Sequence, residues 1–170
     1  QQPHLQRTSP PLDMGRSRMP LRALTALPVF NEARYVDEVL DEVLLHADHV
    51  LVVDDGSTDG TAERLARRRE AGSRLSIVAH PHNRGYGAAL NTAFQYAIQQ
   101  RFDVIVTVDC DGQHEPRRIP RFVAACEACD IVSGSRYLKR YAEDTLPPAD
   151  RRRINLTVTR ELNRRLGLHL

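Results

Sequence analysis

The amino-acid sequence predicts an α/β domain built on a mainly parallel sheet with helices on both faces. Three observations carry that expectation. From Leu21 onward, short apolar runs rich in β-branched residues alternate with longer stretches of helical period. The runs are continuous rather than alternating in polarity, as strands covered on both faces require. A chain of 170 residues, 41% hydrophobic and 27% charged, makes one ordinary globular domain and too little for two. That composition excludes disordered, fibrous and collagen-like classes.

Taken in order, residues 1–20 hold four prolines and no periodicity, so they are expected to form a flexible tail, and residues 21–170 the domain. Strands are expected over residues 21–27, 49–53, 75–79, 104–108 and 130–133. Helices are expected between them, over residues 33–46, 60–71, 85–99 and 116–128. In the first helix Val36, Val39, Leu40, Val43 and Leu44 repeat at helical spacing. Thr58 and Asp59 are good caps for the second, and Pro116 suits the first turn of the fourth. The last residues, from Leu162 to Leu170, read as amphipathic, and the domain is expected to be cut short at its C-terminus.

No apolar run approaches the roughly 20 residues that cross a bilayer, and the first residues lack the apolar core of a signal peptide. Three cysteines argue against a disulfide framework and for a reducing compartment, so a cytoplasmic location is expected. The formal charge of +2 conceals a division. Residues 23–133 carry eleven Arg against seventeen acids, whereas residues 134–170 carry nine Lys or Arg against four acids. A uniformly basic nucleic-acid binder is excluded. An acidic body suits a metal site; a basic end suits phosphates or an anionic membrane surface, or is simply a solvated helix face.

In open parallel sheets, ligands sit beyond the carboxyl ends of the strands. Each expected strand is followed there by a polar or glycine-rich cluster: Pro28, Asn31 and Glu32; Asp54 through Thr61; Asn83 through Gly87; Asp109 through His114; Gly134 through Tyr137. Asp109 and Asp111 are two apart at the end of an extended run, so their carboxylates face one side while Cys110 faces the other. With the Gln113 amide oxygen they make a hard oxygen site that suits Mg²⁺ or Mn²⁺. The competing assignment, a polar turn capping the next helix, is weakened by the apolar run at residues 104–108 that delivers them. Asp54 and Asp55 could accept hydrogen bonds from a base ring N–H or a ribose hydroxyl; a turn with a helix cap explains them equally well. Gly85-Tyr86-Gly87 opens like a dinucleotide loop, but Leu90 stands where the third glycine belongs. A helix N-terminus whose backbone N–H groups approach a ligand fits better. Cys126 and Cys129, lacking a second pair, are assigned to packing rather than zinc. His114 is the one histidine placed beside the acid pair.

The ordered set is Pro28-Val29-Phe30-Asn31-Glu32, Asp54-Asp55-Gly56-Ser57-Thr58-Asp59-Gly60-Thr61, Asn83-Arg84-Gly85-Tyr86-Gly87, Asp109-Cys110-Asp111-Gly112-Gln113-His114-Glu115-Pro116 and Gly134-Ser135-Arg136-Tyr137. In this order and spacing it closely resembles family 2 glycosyltransferases of the GT-A fold, and within them the dolichol- or polyprenol-phosphate mannosyltransferase branch. The resemblance implies an inverting transfer from a nucleoside diphosphate sugar, GDP- or UDP-linked. It implies that Pro28, Phe30 and Glu32 line the nucleotide pocket, and that Asp54 and Asp55 hold base and ribose. It further implies that Asp109, Asp111 and Gln113 bind the metal, and that Arg136 meets phosphate in catalysis. Gly85 and Gly87 fall in the loop assigned to the ligand. Pro148, Arg151 and Asn155 fit the family's downstream spacing, so Arg151 and Asn155 are expected to contact an acceptor phosphate, Asn155 standing where Ser is usual.

The chemistry agrees with that resemblance. A phosphate monoester near neutral pH carries nearly two negative charges and needs no strong general base to attack, whereas a hydroxyl acceptor would. No carboxylate in the C-terminal part announces itself as such a base, while Arg136, Lys139, Arg140 and Arg151 favour a phosphate. The expected acceptor is therefore polyprenyl phosphate, met peripherally at the cytoplasmic face of a membrane. Two other readings compete: a non-catalytic nucleotide-sugar-binding module, and a phosphatase of the haloacid dehalogenase type. The phosphatase would need Asp-x-Asp to open the domain, and here that pair follows four strands.

Overall fold

A computed structural model describes residues 20–69, 74–112, 114–134 and 149–167. Four strands form one parallel sheet: β1 (Ala23–Val29), β2 (Val50–Asp54), β3 (Leu75–Ala79) and β4 (Val104–Thr107), in the spatial order β3-β2-β1-β4. The registers pair Thr25 with Val50, Val50 with Leu75 and Ala23 with Val104. Five helices accompany them: α1 (Val36–His46), α2 (Thr61–Arg69), α3 (Tyr86–Gln99), α4 (Ile119–Ala125) and α5 (Ala149–Leu166).

The central strands read apolar at all positions but Thr25 and the terminal Asp54 because each face is covered. Leu27, Val29, Val50 and Val52 pack with Val36, Leu40 and Val43 of α1, Leu65 of α2 and Ile119 of α4. Leu24, Ala26, Leu51 and Val53 point the other way, onto Ala89, Ala93 and Ala97 of α3. Alanine at every fourth position lets α3 lie close across the sheet. This division follows from right-handed crossovers. The steps β1 to β2 to β3 run in one direction and place α1 and α2 on one face. The return from β3 to β4 runs backwards and places α3 on the opposite face.

The expected element order holds over the first four strands and three helices. The fourth helix is split: a single 3-10 turn at Pro116–Arg118 precedes α4. Pro120 explains it, because a proline in the second turn of an α-helix begun at Pro116 would clash with the carbonyl four residues back. Beginning the α-helix at Ile119 moves Pro120 into the first turn, where no N–H is missed. The fifth strand expected over residues 130–133 does not form; residues 131–133 take no regular secondary structure and Ile131 is 86% exposed. Two apolar residues offer little to bury, and among the described residues none pairs with the outer edge of β4. Helix α5 has no counterpart among the helices predicted from periodicity. Its many arginines blur the apolar pattern of Ile154, Val158 and Leu162.

Candidate functional site

Because the chain steps from β1 to β2 on one side and returns to β4 on the other, the direction of winding reverses between β1 and β4. In parallel sheets that is where a crevice opens beyond the strand ends. Pro28 helps to open it. The ladder alternates, with Thr25 donating its N–H to His49 and Val29 accepting from Asp55 on the β2 side, and Ala26 accepting from Val108 on the β4 side. Pro28 therefore faces β4 one step beyond that last bond, where it has no N–H to continue the ladder. The pairing of β1 with β4 ends at Ala26 and Thr107, and Pro28 itself stays buried within β1.

Three loops are stitched together around the crevice. Asn31, at φ 57°, turns the chain out of β1 and accepts the Thr58 N–H at 2.8 Å, while its own N–H donates to Ser57 Oγ at 2.9 Å. Asp59 accepts from Ala33 N–H at 3.0 Å, from Thr61 N–H at 3.1 Å and from the Thr61 hydroxyl at 2.5 Å. Asp59 thereby caps α2 as its sequence position suggested, and ties the β1 loop to it. Gly56, at φ +74°, passes so near the neighbouring loop that a Cβ would lie 2.4 Å from the His82 carbonyl carbon.

Asp54 and Asp55 are both 3% exposed. Asp54 accepts the Ser57 N–H at 3.0 Å. Asp55 turns into the protein: one oxygen accepts from His80 Nδ1 at 2.6 Å and from Arg84 N–H at 3.0 Å, the other from Gly85 N–H at 2.7 Å. Burial opposes its ionisation, but these donors prevail and hold the carboxyl below its ordinary range. Such a carboxylate holds the residue 84–85 turn against the end of β2.

Beyond β4, Cys110 is 3% exposed and joins the core, while Asp109 and Asp111 reach the surface as their spacing predicted. Burial, then the charges of Glu32, Asp111 and Asp109, push the Cys110 thiol up to about 12, so it is an inert packing group. Asp109 accepts the Tyr86 hydroxyl at 3.0 Å, and its backbone N–H donates to His114 Nδ1 at 2.9 Å. Burial and that carboxylate push the Tyr86 hydroxyl up to about 12. Glu32 is raised by burial, then by the nearby charges of Asp111 and Asp59. Negative charge from β1 and β4 thus accumulates in one crevice, and a hard divalent cation would relieve it. Among the described residues no three His, Cys, Asp or Glu side chains make a ready-made cage, so a cation here would take its other ligands from elsewhere.

The expected site residues divide accordingly. Glu32, Asp54, Asp55, Gly85, Asp109 and Asp111 all lie at strand ends on one edge of the sheet, with exposed Phe30 and Gly87 beside them. Gln113 and Arg136 lie outside the described residues. Arg151 and Asn155 both fall on α5. Sequence reasoning passed over His80 and Thr92. His80 stands immediately beyond β3, and that strand-end position was its one legible signal. The glycines a few residues later gave a stronger one.

Comparison with known proteins accords with this geometry. The model of the glycosyl transferase family 2 matches residues 25–170. The chain is 32% identical over 118 residues to an undecaprenyl-phosphate mannosyltransferase of Micrococcus luteus, covering 68% of this chain and 49% of that one. It is 34% identical over 133 residues to a polyprenol monophosphomannose synthase of Mycolicibacterium smegmatis, covering 74% and 49%. An undecaprenyl-phosphate 4-deoxy-4-formamido-L-arabinose transferase of Salmonella choleraesuis is 31% identical over 149 residues, covering 83% and 44%. The chain thus spans about half the length of these relatives. Among solved structures, the mannosyltransferase PcManGT from Pyrobaculum calidifontis, in complex with GDP-Man and Mn²⁺, superposes with TM-score 0.50 at 31% identity, covering 59% of this chain and 30% of that one. The parallel order β3-β2-β1-β4 with acids at its switch point is the GT-A arrangement, and the chain belongs to glycosyl transferase family 2.

Proposed function

We propose that this chain forms the donor-binding part of a metal-dependent, inverting glycosyltransferase that moves a sugar from a nucleoside diphosphate sugar to polyprenyl phosphate. The observation that carries the reading is the acidic charge of Glu32 and Asp111, with Asp109 two residues from Asp111 at the end of β4, at the switch-point crevice of a family 2 chain. Mg²⁺ or Mn²⁺, held by Asp109, Asp111 and Gln113, would supply a Lewis acid against the charge developing on the departing diphosphate. The solved mannosyltransferase with GDP-Man and Mn²⁺ supports that ligand class.

The remaining roles belong to the chain itself. Asp54 accepts a base N–H or ribose hydroxyl, since a carboxylate bonded to one backbone N–H retains acceptor capacity. Asp55 stands behind it and shapes the pocket. Pro28 and Phe30 line the nucleotide side with Glu32, and the Gly87 N–H in the first turn of α3 faces the diphosphate. Arg136 neutralises phosphate during transfer. Arg151 and Asn155 receive the acceptor phosphate, a group already nucleophilic without a general base. Among the described residues no helix is long and apolar enough to cross a membrane. The excess of Arg beyond residue 134 supports peripheral contact with an anionic, cytoplasmic membrane face.

The test is incubation with GDP- and UDP-linked sugars, Mn²⁺ and polyprenyl phosphate. Release of nucleoside diphosphate that depends on the lipid phosphate is the expected result. Free sugar without acceptor dependence would indicate hydrolysis, and calorimetric donor binding without release would indicate a binding module.

A further inference from the structure

We propose that His80 is a positioning residue: clamped between Asp55 and Thr92, its imidazole sets the start of α3 and, through Tyr86, the orientation of the Asp109 carboxylate. The inference rests on the donor site proposed above and names residues of this chain that prepare it.

The His80 and Asp55 side chains are 5% and 4% exposed, so each must find its hydrogen bonds within the protein. Asp55 is held below its ordinary range and only accepts, which places the imidazole proton on Nδ1, 2.6 Å from Oδ1. The ring's second nitrogen, Nε2, makes a hydrogen bond with the Thr92 hydroxyl, 2.9 Å away. Asp55 uses its remaining capacity on the N–H groups of Arg84 and Gly85, directly before α3. Helix α3 is therefore gripped at two heights. Gly85 is held through Asp55, and Thr92, two turns further along, is held through His80. The packing of Ala89, Ala93 and Ala97 holds α3 on the sheet, and the two polar grips set its phase and its start there.

Tyr86 is the first residue of α3, and its hydroxyl reaches Asp109 Oδ1 at 3.0 Å. Tyr86 is 56% exposed, so packing does not aim it; the helix start does. Hydrogen bonds thus lead from Thr92 through His80 and Asp55 to Gly85, the backbone carries the path to the adjoining Tyr86, and the Tyr86 hydroxyl completes it to Asp109. It joins the base side of the crevice, at the end of β2, to the cation side, at the end of β4. Partners that orient a ligating carboxylate typically change metal affinity by about 10–100-fold when removed.

The experiment measures Mn²⁺-dependent binding of GDP and UDP by calorimetry, beside the carboxyl ¹³C shift of Asp109 in the metal-free protein. His80→Ala and Tyr86→Phe should each weaken the Mn²⁺-dependent component about tenfold or more and displace the Asp109 signal in the same sense. Their combination should lose little beyond the larger single effect, because both act along one path. His80→Asn keeps a donor toward Asp55 and should recover part of the loss. Thr92→Val, close in volume, removes only the outer grip and decides the matter if His80→Ala does not fold. An Asp109 signal and Mn²⁺ affinity unchanged in folded His80→Ala or Thr92→Val, or additive losses in the double variant, would overturn the proposal. If the unmodified protein binds neither nucleotide with Mn²⁺, the donor site itself is refuted, and the Asp109 shift alone still decides whether His80 sets its orientation.

Discussion

At the scale of single residues, Asp111 carries the sharpest expectation. Removing a partner that merely orients a metal ligand costs about 10–100-fold in affinity, so Asp111→Ala, which removes a ligand, should abolish Mn²⁺-dependent donor binding beyond about 100-fold. Calorimetry with and without Mn²⁺ checks this, and an unchanged affinity would refute the metal assignment. Arg136→Ala should weaken donor or acceptor by about 1.5–3 kcal/mol, the range for hydrogen bonds to a charged group; equal Michaelis constants for both substrates would refute it. Gly56 is a structural counterpart. Its φ of +74° and the 2.4 Å approach to the His82 backbone leave no room for a side chain. Gly56→Ala should cost about 1–3 kcal/mol from backbone strain alone, more with the clash, as read from urea unfolding.

At the scale of elements, α1 and α2 are joined by an ionic clamp as well as by their apolar faces. Arg68 donates from Nε to Asp37 at 2.9 Å and reaches both oxygens of Asp41; Arg64 donates to Asp37 at 2.6 Å. The Arg64 hydrogen bond, with Arg68, holds Asp37 below its ordinary range against burial, and Arg68 does the same for Asp41. A depressed carboxylate stabilises the fold fully above its unfolded pKa of about 3.9, and that stability is lost as pH falls through the folded value. The carboxylates are partly exposed, so Arg68→Ala should cost only about 0.5–1 kcal/mol near neutral pH. The difference from the parent should shrink below about pH 4 and in high salt; a difference independent of both would show that Arg68 acts by packing alone. On the other face, Ala93 of α3 is fully buried between helix and sheet. Ala93→Leu should destabilise by about 1–3 kcal/mol, because the close helix approach that alanine permits has no space for the added carbons; an unchanged unfolding midpoint would refute that packing.

At the scale of the whole molecule, donor binding and folding are linked by mass action. Saturation with Mn²⁺ and the cognate nucleoside diphosphate at 100 times the dissociation constant should stabilise the fold by about 2.7 kcal/mol. For a domain of this size that is a rise in Tm of roughly 5–11 °C, abolished by a chelator; no shift with any nucleotide would count against the donor site. The order of the first four strands and three helices, both covered faces of the sheet and the strand-end location of the acids were legible in the sequence; the fifth strand expected there does not form and α5 was not read. Apolar runs, helical spacing and turn residues are local, and the handedness of crossovers converts their order into a topology. The alternation that sends Cys110 inward and its two aspartates outward is equally local. Tertiary structure alone decided what each acid does. Asp54 and Asp55 are neighbours of one type, yet Asp55 turns inward to His80 and the α3 start, across 25 to 30 residues of chain. Tyr86 likewise meets Asp109 only because β3 and β4 flank the central pair on opposite sides and α3 spans between them. A strand's apolar face is set by neighbours two residues away, whereas a hydrogen bond between loops depends on where separate elements come to rest.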